Sequence, residues 1–135
     1  MDVYIFAADC HCSDCGEIKR AELTAQGKAP ADIENESTYD SGDFPKGPYA
    51  DGGGESDTPQ HCGTCGVFLE NPLTQAGYEY VREAVDCTAD IEPGDIADDL
   101  ARRLGAKLRE MDKHVLALWV EFYPEAFDKA NGGPL

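Results

Sequence analysis

The apolar positions of this chain gather in short clusters near its start and in one long periodic stripe near its end. Val3 to Ala8 (Val-Tyr-Ile-Phe-Ala-Ala) is a six-residue apolar run with aromatic and β-branched members, which predicts a short strand. Glu17 to Gln26 is rich in helix formers, with Ile18 and Leu23 on roughly one side and Gly27 placed to stop it. Val67 to Leu69 predicts another short strand. Thr74 is suited to cap a helix over Gln75 to Asp86, with Tyr78, Val81 and Val85 as its apolar side. The clearest period lies further on. Ile96, Leu100, Leu104, Leu108, Met111, Val115, Leu118 and Phe122 recur every three or four residues. They predict one long amphipathic C-terminal helix, opening near Pro93-Gly94 and closed by Pro124. Asp98 with Arg102 and Asp99 with Arg103 form supportive i,i+4 pairs, and acids fall in the first turn, where the helix dipole favours them. The stripe reads as core. Leu116, Trp119 and Tyr123 on a second side would make the helix an interface instead, for a homodimer or a partner helix.

Between these elements, Ala29 to Gln60 has no period of 2 or 3.6. It carries Asp32, Glu34, Glu36, Asp40, Asp43, Asp51, Glu55 and Asp57, with Lys46 as its only base. Pro30, Pro45, Pro48, Pro59 and the run Gly52-Gly53-Gly54 interrupt it further. A structureless loop of this length is unusual inside a compact domain. Disordered segments usually lack aromatics, so Tyr39, Phe44 and Tyr49 point to a partly ordered insertion.

Charge narrows the choice of partners. The 27 Asp and Glu against 11 Lys and Arg leave a formal net charge of −16. That excess repels phosphate and anionic membrane surfaces, so direct nucleic-acid binding is disfavoured and a basic protein partner is favoured. The acids of the 29–60 insertion and of the 86–99 segment are the candidate contacts: Asp40, Asp43, Asp51, Glu55, Asp57, Asp95, Asp98 and Asp99. Val3 to Ala8 is shorter than the ~7–15 residues of a secretory core and has no base before it. No stretch approaches the ~20 apolar residues of a membrane span. A cytoplasmic location is therefore expected, where thiols stay reduced.

In that setting the 6 cysteines read as metal ligands before disulfides. Four of them form two similar units, His11-Cys12-Ser13-Asp14-Cys15-Gly16 and His61-Cys62-Gly63-Thr64-Cys65-Gly66. A two-residue spacer lets one tight turn aim both thiolates at a single ion. A following glycine can take a positive φ, so that backbone N–H groups turn toward the sulfurs. Two such knuckles complete a tetrahedral four-sulfur site for one structural Zn2+, held by Cys12, Cys15, Cys62 and Cys65. A thioredoxin-like redox pair needs only one such motif and leaves the second unexplained. Four thiolates leave no open position for catalysis. His11 and His61 each adjoin a ligand and read as supporting or surface groups. Cys10 is an alternative ligand with poorer spacing, and Cys87 reads as a small buried hydrophobe or a partner for Cys10. A chain of 135 residues with 14 Gly and 8 Pro has a modest core, and such folds often need a staple.

The paired knuckles resemble the zinc-ribbon family, which implies short antiparallel strands around the metal. More narrowly, Ser37 to Val81 resembles small phage and prophage zinc-ribbon proteins of unassigned activity. The resemblance rests on Ser-Thr-Tyr-Asp-Ser (37–41), Phe-Pro-Lys-Gly-Pro-Tyr (44–49), Asp-Gly-Gly-Gly-Glu (51–55), Pro-Gln-His-Cys (59–62) and Cys-Gly-Val-Phe-Leu-Glu-Asn-Pro-Leu-Thr (65–74). It extends over roughly residues 1 to 86, with a longer spacing between knuckles than a minimal ribbon has. The expected architecture is α+β: a zinc-ribbon domain over 1–92 with the acidic insertion 29–60, a C-terminal helical segment over 93–124, and a tail over 125–135.

No catalytic constellation emerges. Gly52-Gly53-Gly54 lacks the Lys-Ser/Thr of a phosphate loop, and His114 has no nucleophile partner in the pattern. A non-enzymatic interaction protein is expected. Its acidic surface would block a nucleic-acid-binding machine as a DNA mimic, of the anti-CRISPR or anti-restriction kind. A nucleic-acid-binding ribbon using Lys19, Arg20 and Lys28, and a regulatory subunit acting through the C-terminal helix, are the alternatives.

Overall fold

A computed structural model of the chain describes residues 1–89 and 100–127. They fold as two compact units, one of residues 1–55 and 60–72, the other of residues 56–59 and 73 onward. The domain line expected between 92 and 93 falls outside the described residues.

In the first unit, β1 (Val3–Phe6) is the central strand of an antiparallel sheet, flanked by β2 (Asp9–Cys12) and β3 (Lys46–Tyr49). The apolar run therefore stops two residues early. Ala7 and Ala8 sit at φ +52° and +63° and turn the chain, so that Phe6 pairs with Asp9 and Val3 with Cys12. As the middle strand, β1 is buried on both sides. Val3 packs with Cys62 and Leu69, with Cys10, Cys12, Cys15 and Tyr49 around them. Tyr4 meets helix α1 (Ser13–Ala25) at Gly16, where a Cβ would collide with the ring.

Helix α1 starts four residues earlier than its composition suggests, because the first knuckle itself is its opening turn. It ends where expected. Gly27 adopts φ +74°, with Gly27 N–H donating to Thr24 O and Lys28 N–H to Leu23 O, the paired bonds of a glycine-terminated helix. Arg20 leaves this helix to join the insertion. Its guanidinium donates to Pro45 O (3.0 Å) and Gly47 O (3.2 Å) and lies over the rings of Tyr4 and Phe44.

The acidic insertion is ordered around its aromatics. Phe44 is buried and meets Tyr39 edge to face at 5.8 Å. Tyr39 O–H donates to Ile33 O, while Glu36 accepts from both Tyr49 O–H and Gly47 N–H. Strand β3 lies within it, unheralded by any period, and its Pro48 is tolerated because β3 is an edge strand. Val67 to Leu69 forms no strand; Phe68 makes a single bridge with His61.

The second unit is helical. Thr74 caps α2 (Gln75–Ala89) as the pattern predicts, accepting the N–H of Gly77 at 3.1 Å. Val81 and Val85 are buried, as is Arg82, which donates to Ala126 O at 3.0 Å. Cys87 is exposed on this helix, contrary to its reading as a buried hydrophobe.

The long C-terminal helix is instead two helices in the described residues, α3 (Leu100–Glu110) and α4 (His114–Phe122). Asp112 takes φ +62°, and Lys113 N–H donates to Leu108 O and Asp112 N–H to Arg109 O. This is the glycine-type helix stop made without a glycine. Arg109 then clamps the two helices through a two-pronged ion pair with Glu121 (2.9 and 2.7 Å). The break shifts the apolar phase. Leu100, Leu104 and Leu108 are buried as expected, but Met111, Val115, Leu118 and Phe122 are exposed, and Ala117, Val120 and Tyr123 take the buried places. Ile96 and the aspartates of the two i,i+4 pairs lie outside the described residues.

Candidate metal centre

The two knuckles arrive by different local structures. Cys12 ends β2 and stands at the N-cap of α1 in extended backbone (φ −60°, ψ 161°). Cys15 is in the first turn of that helix, so the first pair sits at the positive end of its dipole, which favours thiolate. Cys62 and Cys65 lie on a turn closed by Gly66 N–H to Cys62 O (2.9 Å) and Cys62 N–H to Val67 O (2.8 Å). Gly66 adopts φ +81° there, as a knuckle glycine should. Gly16 does not; it is helical, and its lack of a side chain makes room for Tyr4.

One ligand sulfur from each of these four residues lies within 4.8 Å of the others, a set that can hold one metal ion. Cys12 and Cys65 sulfurs, from opposite knuckles, are 3.8 Å apart. The backbone N–H groups of Thr64 and Cys65 point at the Cys62 sulfur at 3.4 and 3.5 Å. Burial alone pushes the Cys62 thiol up, but the N–H groups of Cys65, Cys12 and Thr64 outweigh it and bring it down to about 6. Cys15 is driven strongly the other way, first by its hydrogen bond to the Cys12 sulfur and then by burial. Four sulfurs this close cannot all ionise against one another without a cation among them. The donor set therefore fits a thiophilic divalent ion.

Other groups join the knuckles to each other. Gly63 N–H donates to Cys10 O at 2.9 Å. His11 reaches Phe6 O with Nε2 (3.2 Å) and Thr64 Oγ1 with Nδ1 (2.9 Å). A carbonyl only accepts, so neutral His11 carries its proton on Nε2 and takes the Thr64 hydroxyl hydrogen on Nδ1. His61 contacts Gly66 O through Nδ1 (3.0 Å) and lies on the Phe68 ring. Each histidine thus supports a knuckle, as its place beside a ligand suggested. The Thr64 and Gly63 contacts were not foreseeable, because nothing in the motif says which residue faces the other turn. Cys10 stays outside the four-sulfur cluster, packed near Val3 and Gly53, and burial raises its thiol.

A cleft of about 490 Å³ opens beside the cluster, lined by Met1, Ser13, Asp14 and Val67 together with Cys12, Cys15 and Cys65. Cys62 is buried on the core side, whereas Cys65 is exposed.

Of the candidate acidic contacts, Asp40, Asp43, Asp51, Glu55 and Asp57 are all exposed. Asp40 also closes a turn, accepting Gly42 N–H on its side chain and Asp43 and Phe44 N–H on its carbonyl. Asp57 accepts the Thr74 hydroxyl. Asp95, Asp98 and Asp99 lie outside the described residues. No helix among the described residues is long and apolar enough to cross a membrane.

No family model, no curated protein and no solved structure matches this chain. The architecture and site define it by class alone, as an α+β protein with a four-cysteine site that can hold a metal ion.

Proposed function

We propose that this chain is a non-enzymatic, zinc-stapled acidic module, acting in the cytoplasm, that binds a basic protein and excludes nucleic acid from it. The observation that carries the reading is the exposure of acids on an ordered insertion. Asp32, Glu34, Asp40, Asp43, Asp51 and Glu55 all face solvent, while Phe44, Tyr39 and Tyr49 hold the backbone beneath them. A charged surface of fixed geometry can imitate a phosphate array at lower entropic cost than a floppy one. Zinc suits four thiolates in closed tetrahedral coordination, and its role in this reading is to hold the frame. The specific form of the proposal is an inhibitor of the anti-CRISPR or anti-restriction kind, with a phage origin.

The nucleic-acid-binding alternative is weakened by the fate of two of its three bases. Arg20 is consumed by carbonyls and rings, and Lys19 pairs with Glu22 at 3.1 Å. The test is competition. Purified chain is added to DNA complexes of a panel of CRISPR effectors and restriction enzymes, at rising salt. The expected result is displacement of DNA from at least one of them, weakening as salt screens the contact. It should be lost when Asp32, Glu34, Asp40, Asp43, Asp51 and Glu55 are changed to their amides. Displacement indifferent to salt and to those changes would sink the charge-mimic reading. Retardation of free DNA by the chain alone would favour the ribbon alternative.

A further inference from the structure

We propose that Cys65 is an oxidative modification site through which a neutral hydroperoxide opens the metal centre. The inference rests on the metal-centre reading above and adds a second property to it. The four sulfurs are not equivalent. Cys62 is buried against Val3 and Leu69 and accepts two backbone N–H groups, which hold electron density on its sulfur away from an attacking reagent. Cys65 is the exposed member, on the wall of the cleft of about 490 Å³. Met1 and Val67 make part of that wall apolar, and both are themselves more than two-fifths exposed, at 47% and 42%. Asp14 and a net charge of −16 turn away anionic oxidants, so an uncharged peroxide is the reagent this cleft admits.

A resolving thiol is already in place, since the Cys12 sulfur stands 3.8 Å from that of Cys65. The Cys65 thiolate attacks one peroxide oxygen, the O–O bond breaks, and the departing hydroxide takes a proton to leave as water. Cys65 is then a sulfenic acid. The Cys12 thiolate attacks the Cys65 sulfur, the S–S bond forms, the S–O bond breaks, and a second water departs with a second proton. The two sulfurs together lose two electrons and the peroxide gains two. Only Cys15 and Cys62 then remain as anionic ligands, too few for a closed four-sulfur site, and the cation is released.

Cys87 is exposed elsewhere on α2, outside the cluster, so the experiment uses a Cys87→Ser protein. Zinc content is measured first. Hydrogen peroxide is then added, with zinc release followed by a chromogenic chelator and disulfides mapped by peptide mass spectrometry. The expected result is zinc released in step with a Cys12–Cys65 disulfide, both reversed by dithiothreitol with added zinc. In parallel, the loaded protein is given limiting N-ethylmaleimide, and Cys65 should be labelled several-fold ahead of Cys12, Cys15 and Cys62. Zinc retained with all thiols intact under excess peroxide, or first labelling at Cys62, overturns the inference. Protein purified with its thiols reduced and without zinc would sink the metal reading itself, and the inference with it.

Discussion

Gly16 and Gly66 each follow the second cysteine of a knuckle, yet they are glycines for different reasons. Gly66 needs the left-handed backbone at φ +81° that lets its turn wrap Cys62. Gly16 is an ordinary helical residue whose missing side chain leaves room for Tyr4. A methyl at position 16 would lie 2.5 Å from Tyr4 Cγ and 2.7 Å from its Cβ, with the rigid central strand behind it. Gly16→Ala should therefore destabilise the first unit by about 1–3 kcal/mol through overpacking. Gly66→Ala should cost roughly 1–2 kcal/mol through backbone strain. Tyr4→Ala separates the two, measured by thermal unfolding of the double variants. Trimming the ring should relieve part of the Gly16→Ala cost, since the contact with the position-4 Cβ stays, and leave Gly66→Ala unchanged. Equal relief of both would refute the distinction. In the sequence the two glycines look alike, because a motif records that a side chain is absent and not which neighbour requires it.

Elements were legible wherever local chemistry decided them. The Thr74 cap, the Gly27 stop and each Cys-x-x-Cys pair act within a few residues of themselves, and pattern reading finds them. The break between α3 and α4 was not legible, because an aspartate takes the position that glycine usually holds and the apolar spacing runs straight across it. Strand β3 was hidden for a related reason. Lys-Gly-Pro-Tyr has no alternation, and its place is set by β1 and by Arg20, far away in the chain. The phase shift at Asp112 gives a sharp contrast to measure. Leu108 is fully buried whereas Leu118, on what looks like the same stripe, is 40% exposed. Leu108→Ala should cost about 2–5 kcal/mol, and Leu118→Ala about 0.5 kcal/mol or less, by chemical denaturation. Comparable losses at both positions would restore a single continuous stripe, or reveal a partner covering α4 in solution.

At the scale of the molecule, a metal held by the four cysteines should act on one unit and not on the other. All four ligands belong to residues 1–55 and 60–72, and the chain between Cys15 and Cys62 must close on itself for the cluster to form. Holding that loop shut is entropically costly, and the sheet beneath it has three short strands. Structural zinc supplies about 10–16 kcal/mol in small peptides, as much as or more than the 5–15 kcal/mol by which whole domains are stable. The first unit should not survive its removal, even with His11 and Thr64 bridging the knuckles. The helical unit has its own core of Val81, Val85, Leu104, Leu108, Val120 and Phe127, and its own clamp between Arg109 and Glu121. Amide hydrogen exchange before and after chelation resolves the two. Protection should collapse across β1, β2, α1 and β3, while α3 and α4 keep theirs to within a few fold. Loss of protection in α3 and α4 to the same degree would mean that the staple holds the whole chain as one cooperative structure. In that case the acidic surface and the helices would be set by the same metal, and oxidation at Cys65 would dismantle both.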